Sequence, residues 1–165
     1  MLFKSKIKPD GFANCLVRDH QMIFGRGNLD YICKQLDFHF RDQSSYIEAF
    51  YEFQAFGLYS IASGVRTQSG QGLRTIILSI LNARFEAISG PNWKMMSQRV
   101  AEYEEFGVRA PSGGLAAQKI FDRPSGILQP TSRDAFGLTI AMNASYLDAV
   151  KAVDNLFKQH KIDNR

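Results

Sequence analysis

The chain is 165 residues long, 45% hydrophobic and 22% charged, with a formal net charge of +4. That length suits one domain, and the balance of apolar to charged residues excludes a mainly disordered chain. The longest uncharged runs, 53–65 and 135–147, fall short of the ~18–20 apolar residues a membrane span needs, so no membrane is expected.

Lys4, Lys6 and Lys8 lie near the start, but Pro9, Asp10 and Gly11 stand where a secretory signal would place its apolar stretch. The expected location is therefore cytoplasmic. Cys15 and Cys33 are the two cysteines. They are too few for a disulfide framework and lie in no metal-binding spacing, which suits buried thiols in a reducing compartment. Asp10 is placed to cap a helix carrying Phe12, Cys15, Leu16, Met22 and Ile23 and closed by Gly25. The same stretch also reads as a short hairpin near the N-terminus, 15–17 against 22–24; the helix is preferred. From Asn28 onward, Leu29, Ile32, Cys33, Leu36 and Phe40 form one helical face. Its end, 36–41, alternates strictly and reads as a short strand with Asp37, His39 and Arg41 on one side.

Ser45 with Glu48 three residues later makes a capping box for a helix running to about Ala62. Apolar side chains surround its axis, as expected of a helix central to the fold or buried in an interface. Phe53 and Phe56 on this helix, with Trp93 further on, are the candidate contacts for a protein partner or a homodimer.

The stretch 63–74 reads as a Gly- and hydroxyl-rich loop feeding a helix. Its candidate anion-binding residues are Arg66, Ser69, Gly70, Gly72 and Arg74. A helix N-terminus offers free N–H groups, glycines allow close approach, and a guanidinium matches phosphate or carboxylate. The segment is not a P-loop, because the Gly-Lys-Ser/Thr ending is absent and no strand precedes it.

Leu73, Ile76, Ile77, Ile80, Leu81, Phe85 and Ile88 follow the 3.6-residue period, and Ser89, Gly90 and Pro91 stop the helix. Ile77 and Ile80 are expected in the core. Asn92 caps a helix carrying Trp93, Met96, Val100 and Tyr103, with Gly107 as its terminator and Glu102, Glu104 and Glu105 as a solvated face. The stretch 108–131 is irregular apart from one short helix over 115–121, ended by the approach of Pro124. Thr131 with Asp134 makes a second capping box, opening a helix to about His160 with an interruption allowed near 143–145.

These elements predict an all-α fold, a compact irregular bundle of about six helices in one domain, 1–165, with 1–9 and 161–165 as flexible ends. Positive charge is in surplus over 1–27, 63–90 and 108–133, which admits a nucleic-acid or other anionic partner. His20, His39 and His160 are far apart in sequence, so no metal is expected, and no cofactor motif or catalytic set emerges. The expected function is a non-catalytic binding or regulatory protein acting through a protein partner or a self-association surface. An anion or nucleic-acid binder using 63–74 is the alternative. An enzyme whose site gathers distant residues comes third.

Overall fold

The computed structural model describes residues 4–106, 113–122 and 132–163. Their order is β1 (Ser5–Ile7), α1 (Pro9–Phe24), α2 (Arg26–Gln35), α3 (Gln43–Gln68), α4 (Gln71–Ser89), a 3₁₀ turn (Gly90–Asn92), α5 (Trp93–Phe106), α6 (Gly113–Asp122), α7 (Ser132–Gln159) and β2 (His160–Ile162). The fold is an all-α bundle, with seven helices among the described residues rather than about six. Gly107, Thr131 and Pro124, expected to end or cap helices, lie outside the described residues, as does the side chain of Asp134.

The N-terminal stretch is helix and not hairpin. Phe12, Leu16, His20 and Phe24 recur every fourth residue and are all fully buried, a spacing that only a helix turns to one side. Pro9 starts α1, its fixed φ being suited to the first helical position, and Lys8 is the capping residue. Asp10 therefore falls in the first turn instead of at the cap, where it pairs with Arg84 of α4 at 2.7 Å.

The alternating segment 36–41 forms no strand. Leu36 closes α2 by donating its N–H to the Ile32 carbonyl, and Asp37 adopts φ 50°. Among the described residues the only strand pairing is β1 with β2, so this segment has no ladder to join. Its aromatics stack instead, Phe38 edge-on to Phe40 at 4.9 Å and Phe40 edge-on to Tyr46 at 5.5 Å.

The start of α3 is displaced by three residues from the predicted cap. The Asp42 carboxylate accepts the Ser45 N–H at 2.8 Å and is itself the N-cap, while Ser45 sits inside the helix. That backbone donor holds the Asp42 carboxyl below the usual carboxylate range. At its other end α3 runs past Ala62 to Gln68 and absorbs Ser63, Gly64, Arg66 and Thr67. Gly64 belongs to the packing rather than to a turn, because a Cβ there would meet Val153 of α7 at 3.0 Å.

With 26 residues α3 is the longest element but one, and it packs against α1, α4, α5, α6 and α7. This explains its all-round apolar sequence: Ala49, Phe53, Phe56, Ile61 and Val65 are each fully buried. Each large apolar side chain contributes roughly 1.5–3 kcal/mol on leaving water. Phe56 and Tyr59 meet Tyr103 of α5 at ring distances of 5.3 and 5.7 Å, which joins α3 to α5 through an aromatic cluster.

The long helix α7 is continuous through 143–145. It buries Leu138, Met142, Ala149 and Val153 and leaves Phe136, Ile140 and Leu147 more than half exposed. After it, β2 pairs in parallel with β1, Ser5 opposite His160 and Ile7 opposite Ile162. Within the segments expected as flexible ends, Ser5–Ile7 and Lys161–Ile162 take part in this pairing, and Lys4 donates from its ammonium to the Phe157 carbonyl at 2.9 Å. Among the described residues no helix is long and apolar enough to cross a membrane.

Candidate binding cleft

The residues singled out for anion binding are not gathered into one loop. Only Ser69 and Gly70 separate α3 from α4. The Ser69 hydroxyl donates to the Val65 carbonyl at 2.6 Å and closes the last turn of α3. Arg74 donates to the Arg66 and Ser69 carbonyls at 2.8 and 3.0 Å. Its guanidinium thereby satisfies carbonyls that a helix end leaves without partners, and it pins the start of α4 to the end of α3. Gly70 caps α4 and Gly72 lies in its first turn, both facing open space. Arg66, by contrast, reaches Glu104 of α5 and forms an ion pair with it.

Phe53 and Phe56, read as partner contacts, are core residues at 0% exposure. Around them α3 packs against α1, α4, α5, α6 and α7. Trp93 differs from them, for it is only half-buried and lies in the same cleft as Arg66.

That cleft is built by three helices, each giving one row of side chains at helical spacing. From α3 come Leu58, Ala62 and Arg66; from α4, Leu78 and Asn82; from α5, Trp93, Ser97, Val100 and Glu104. Spacings of three, four and seven residues place the members of each row one above another. Leu58 and Ala62 form a buried apolar floor and the Trp93 ring a wall. The Arg66–Glu104 pair occupies the rim, its side chains 36% and 41% exposed. The volume is about 150 Å³, the scale at which an apolar cavity holds one benzene-sized group.

Sequence reading found Trp93 and Arg66 separately but missed Leu58, Leu78, Asn82 and Ser97; Glu104 is exposed, as expected of a solvated face, and pairs with Arg66 as well. The repeated four-residue spacing of 58, 62 and 66, and of 93, 97 and 101, was the available signal. Which face each row presents is decided only by packing.

The other polar groups are arranged differently. His39 and Asp37 approach to 3.3 Å but are 80% and 98% exposed, beside a wider cleft of about 440 Å³ under α2. Asp19 contacts Arg18 and leaves His20 to bond elsewhere. Between α3 and α5 lies a buried charged cluster that the sequence did not flag. Arg99 donates to the Glu48 carbonyl at 3.0 Å, pairs with the Glu48 carboxylate and faces Glu52 at 3.5 Å, and Tyr103 donates its hydroxyl proton to Glu52. The cysteines are unpaired, and burial followed by the nearby Asp30 charge pushes the Cys33 thiol up to about 12. No group of His, Cys, Asp and Glu suited to a metal ion occurs among the described residues. Compared with known proteins, the chain matches no family model, no curated protein and no solved structure.

Proposed function

We propose that this protein is a non-catalytic helical binding protein whose contact site is the cleft between α3, α4 and α5, which takes one apolar side chain beside the Arg66–Glu104 pair. The observation that carries this reading is one groove lined by three helices, running from Trp93 over the apolar Leu58, Ala62 and Val100 to the Arg66–Glu104 pair. Small clefts of this kind bind by apolar burial and use a few polar groups for orientation. Trp93 is the single tryptophan of the chain and reports on the cleft directly. Titration with N-acetyl-leucinamide, a neutral mimic of a peptide leucine, is expected to shift its fluorescence saturably. In Ala101→Phe, which fills the cleft from an exposed lining position, the shift should vanish. A wild-type protein that gives no saturable change with any apolar compound removes the reading.

A second reading, self-association, is favoured by the exposed face of α7. Phe136, Ile140 and Leu147 fall on one stripe of the helix, with the exposed Ala144 between them, while the Asn143 side chain packs on Gly113 of α6. In an antiparallel pairing of two copies centred on 143 and 144, Ile140 opposes the partner's Leu147 and Phe136 opposes the partner's Lys151. Apolar contacts and a cation over an aromatic ring then repeat by symmetry. Sedimentation is expected to give twice the 18.6 kDa chain mass, reverting to one chain in Ile140→Lys. A wild-type monomer at all concentrations discards this reading. Anion binding over 63–74 has less support, since Glu104 already holds Arg66 and backbone carbonyls hold Arg74.

A further inference from the structure

We infer that a second site, a cavity of about 320 Å³ where α1, α3, α4 and α5 meet, takes an uncharged two-ring heterocycle of the purine-base kind. It is separate from the groove along α5 and goes beyond the reading of that groove. Asn92 and Met96 line the cavity, whereas Trp93 and Ser97, each one position further on, line the groove.

The lining comes from a single turn of each element. Gln21 and Gly25 stand four apart at the end of α1, Phe50 and Gln54 four apart on α3, and Asn92 and Met96 four apart at the start of α5. One turn of helix rises about 5.4 Å, so no pair spreads further along its helix than a two-ring molecule is long. Ile88 and Ser89, from the end of α4, complete the wall. The volume falls at the lower end of the roughly 300–1,000 Å³ typical of small-molecule sites.

The chemistry of the walls selects the ligand. Among the described residues no Asp, Glu, Lys, Arg or His lines the cavity. A charged molecule would therefore shed water there without gaining a counter-charge. Yet the walls are rich in hydrogen-bonding groups that the fold does not use up. Asn92 donates an amide proton to the Tyr51 hydroxyl oxygen at 2.6 Å, so the proton of Tyr51 remains to be given. The Gln54 amide donates to the Phe24 carbonyl, which leaves the side-chain oxygens of Gln54 and Asn92 as acceptors. Gln21, exposed at the edge, supplies both a donor and an acceptor.

A purely apolar ligand would strand these groups, and each stranded one costs binding. A flexible polar ligand would leave the rest of the wall unused. The Phe50 and Tyr51 rings lie 6.1 Å apart at 45°, and the buried Met96 sulfur accepts the Ser89 hydroxyl at 3.2 Å. Aromatic rings and thioether sulfur both favour the face or edge of another ring. An uncharged heterocycle meets both demands, with its ring against Phe50, Tyr51 and Met96 and its nitrogens on the amides and the hydroxyl.

The experiment is a titration of the full, ¹⁵N-labelled chain with adenine, indene and urate, followed by calorimetry and by the side-chain amide signals. All three probes are a six-membered ring fused to a five-membered one. Indene has no hydrogen-bonding atom, and urate is an anion at neutral pH. Adenine is expected to bind saturably and to shift the Gln21, Gln54 and Asn92 amide signals. Urate should bind at least about tenfold more weakly, for want of a counter-charge. Indene should lose about two- to tenfold for each hydrogen bond it cannot make. Tyr51→Phe and the exposed Gln21→Leu should each weaken adenine about two- to tenfold and leave indene unchanged, with circular dichroism showing the fold retained. Indene binding as tightly as adenine overturns the heterocycle. Urate binding as tightly means that Arg26, which lies over the Phe50 ring at 5.2 Å, draws an anion, and overturns the uncharged ligand. Adenine that shifts only Asn82, in the groove, or that gives no heat and no shift, overturns the site.

Discussion

His20 of α1 donates its Nε2 proton to the carbonyl oxygen of Gln54 in α3 at 3.0 Å, the only sense possible because a carbonyl accepts. The ring is fully buried, its edge against Phe85 at 4.5 Å between centroids, and Nδ1 makes no hydrogen bond. Burial lowers its pKa from 6.5 to about 4, with the Gln54 bond opposing. The unfolded chain therefore binds this proton below about pH 6.5 and the native protein does not until about pH 4. Stability is full above pH 6.5 and falls as pH drops toward 4, by up to roughly 3 kcal/mol at about 1.4 kcal/mol per unit. Urea unfolding at several pH values should show this slope, and His20→Gln should flatten it between pH 6.5 and 5. An unchanged slope in the variant assigns the effect to other groups.

Gly57 lies where α3 crosses α1. A Cβ there would stand 2.7 Å from His20 Nε2 and closer still to the Phe24 ring. In an exposed helix Gly→Ala stabilises by about 1 kcal/mol. Here Gly57→Ala should destabilise by about 1–3 kcal/mol or more, as overpacking of a filled core does. The sign of the change in urea midpoint decides the matter.

Arg99 and Glu52 provide a third test. Both are buried, and Arg99→Ala removes the guanidinium that faces Glu52 in a medium where water cannot replace it. Breaking one side of such a pair typically destabilises by about 3–5 kcal/mol. Glu48, the other carboxylate on Arg99, is 40% exposed, and Glu48→Ala should lose no more than about 1 kcal/mol. Equal losses from the two variants would mean that burial does not govern this cluster.

Ile77 and Ile80 separate what a shared pattern could not. Ile77 is fully buried, while Ile80 is half-buried. Ile77→Ala should cost about 2–5 kcal/mol and Ile80→Ala about 1 kcal/mol or less. Chemical unfolding of the two variants side by side measures the difference.

That pair also illustrates what was legible beforehand. The period from 73 to 88 located α4, yet Ile77, Leu81 and Phe85 alone turn fully inward, because α1 and α3 cover only one face of it. Helix existence followed from local spacing almost throughout. Boundaries failed where tertiary contacts overrode local chemistry: Gly64 looked like a turn until Val153 packed on it, and Asp42 took the cap expected of Ser45. Phe53 and Phe56 were expected to contact a partner, but both are fully buried in the core. Trp93 and Arg66 each stood out, whereas their place in one groove, 27 positions apart, depends on how α5 lies on α3, which no local spacing encodes.

The strand pair has a bearing on how the chain is made. The side chains of Ser5 and His160 meet across 155 positions, so β1 leaves the ribosome long before its only mate among the described residues exists. At ~5–20 residues per second the interval is on the order of ten seconds. The helices must therefore assemble without this latch, and through that time β1 carries an open edge able to recruit another nascent chain. Lys6 lies within it, and Lys4 and Lys8 flank it. Lysines at a strand edge oppose pairing with a like strand, so the same ammonium groups that flank the latch in the finished fold work against that recruitment.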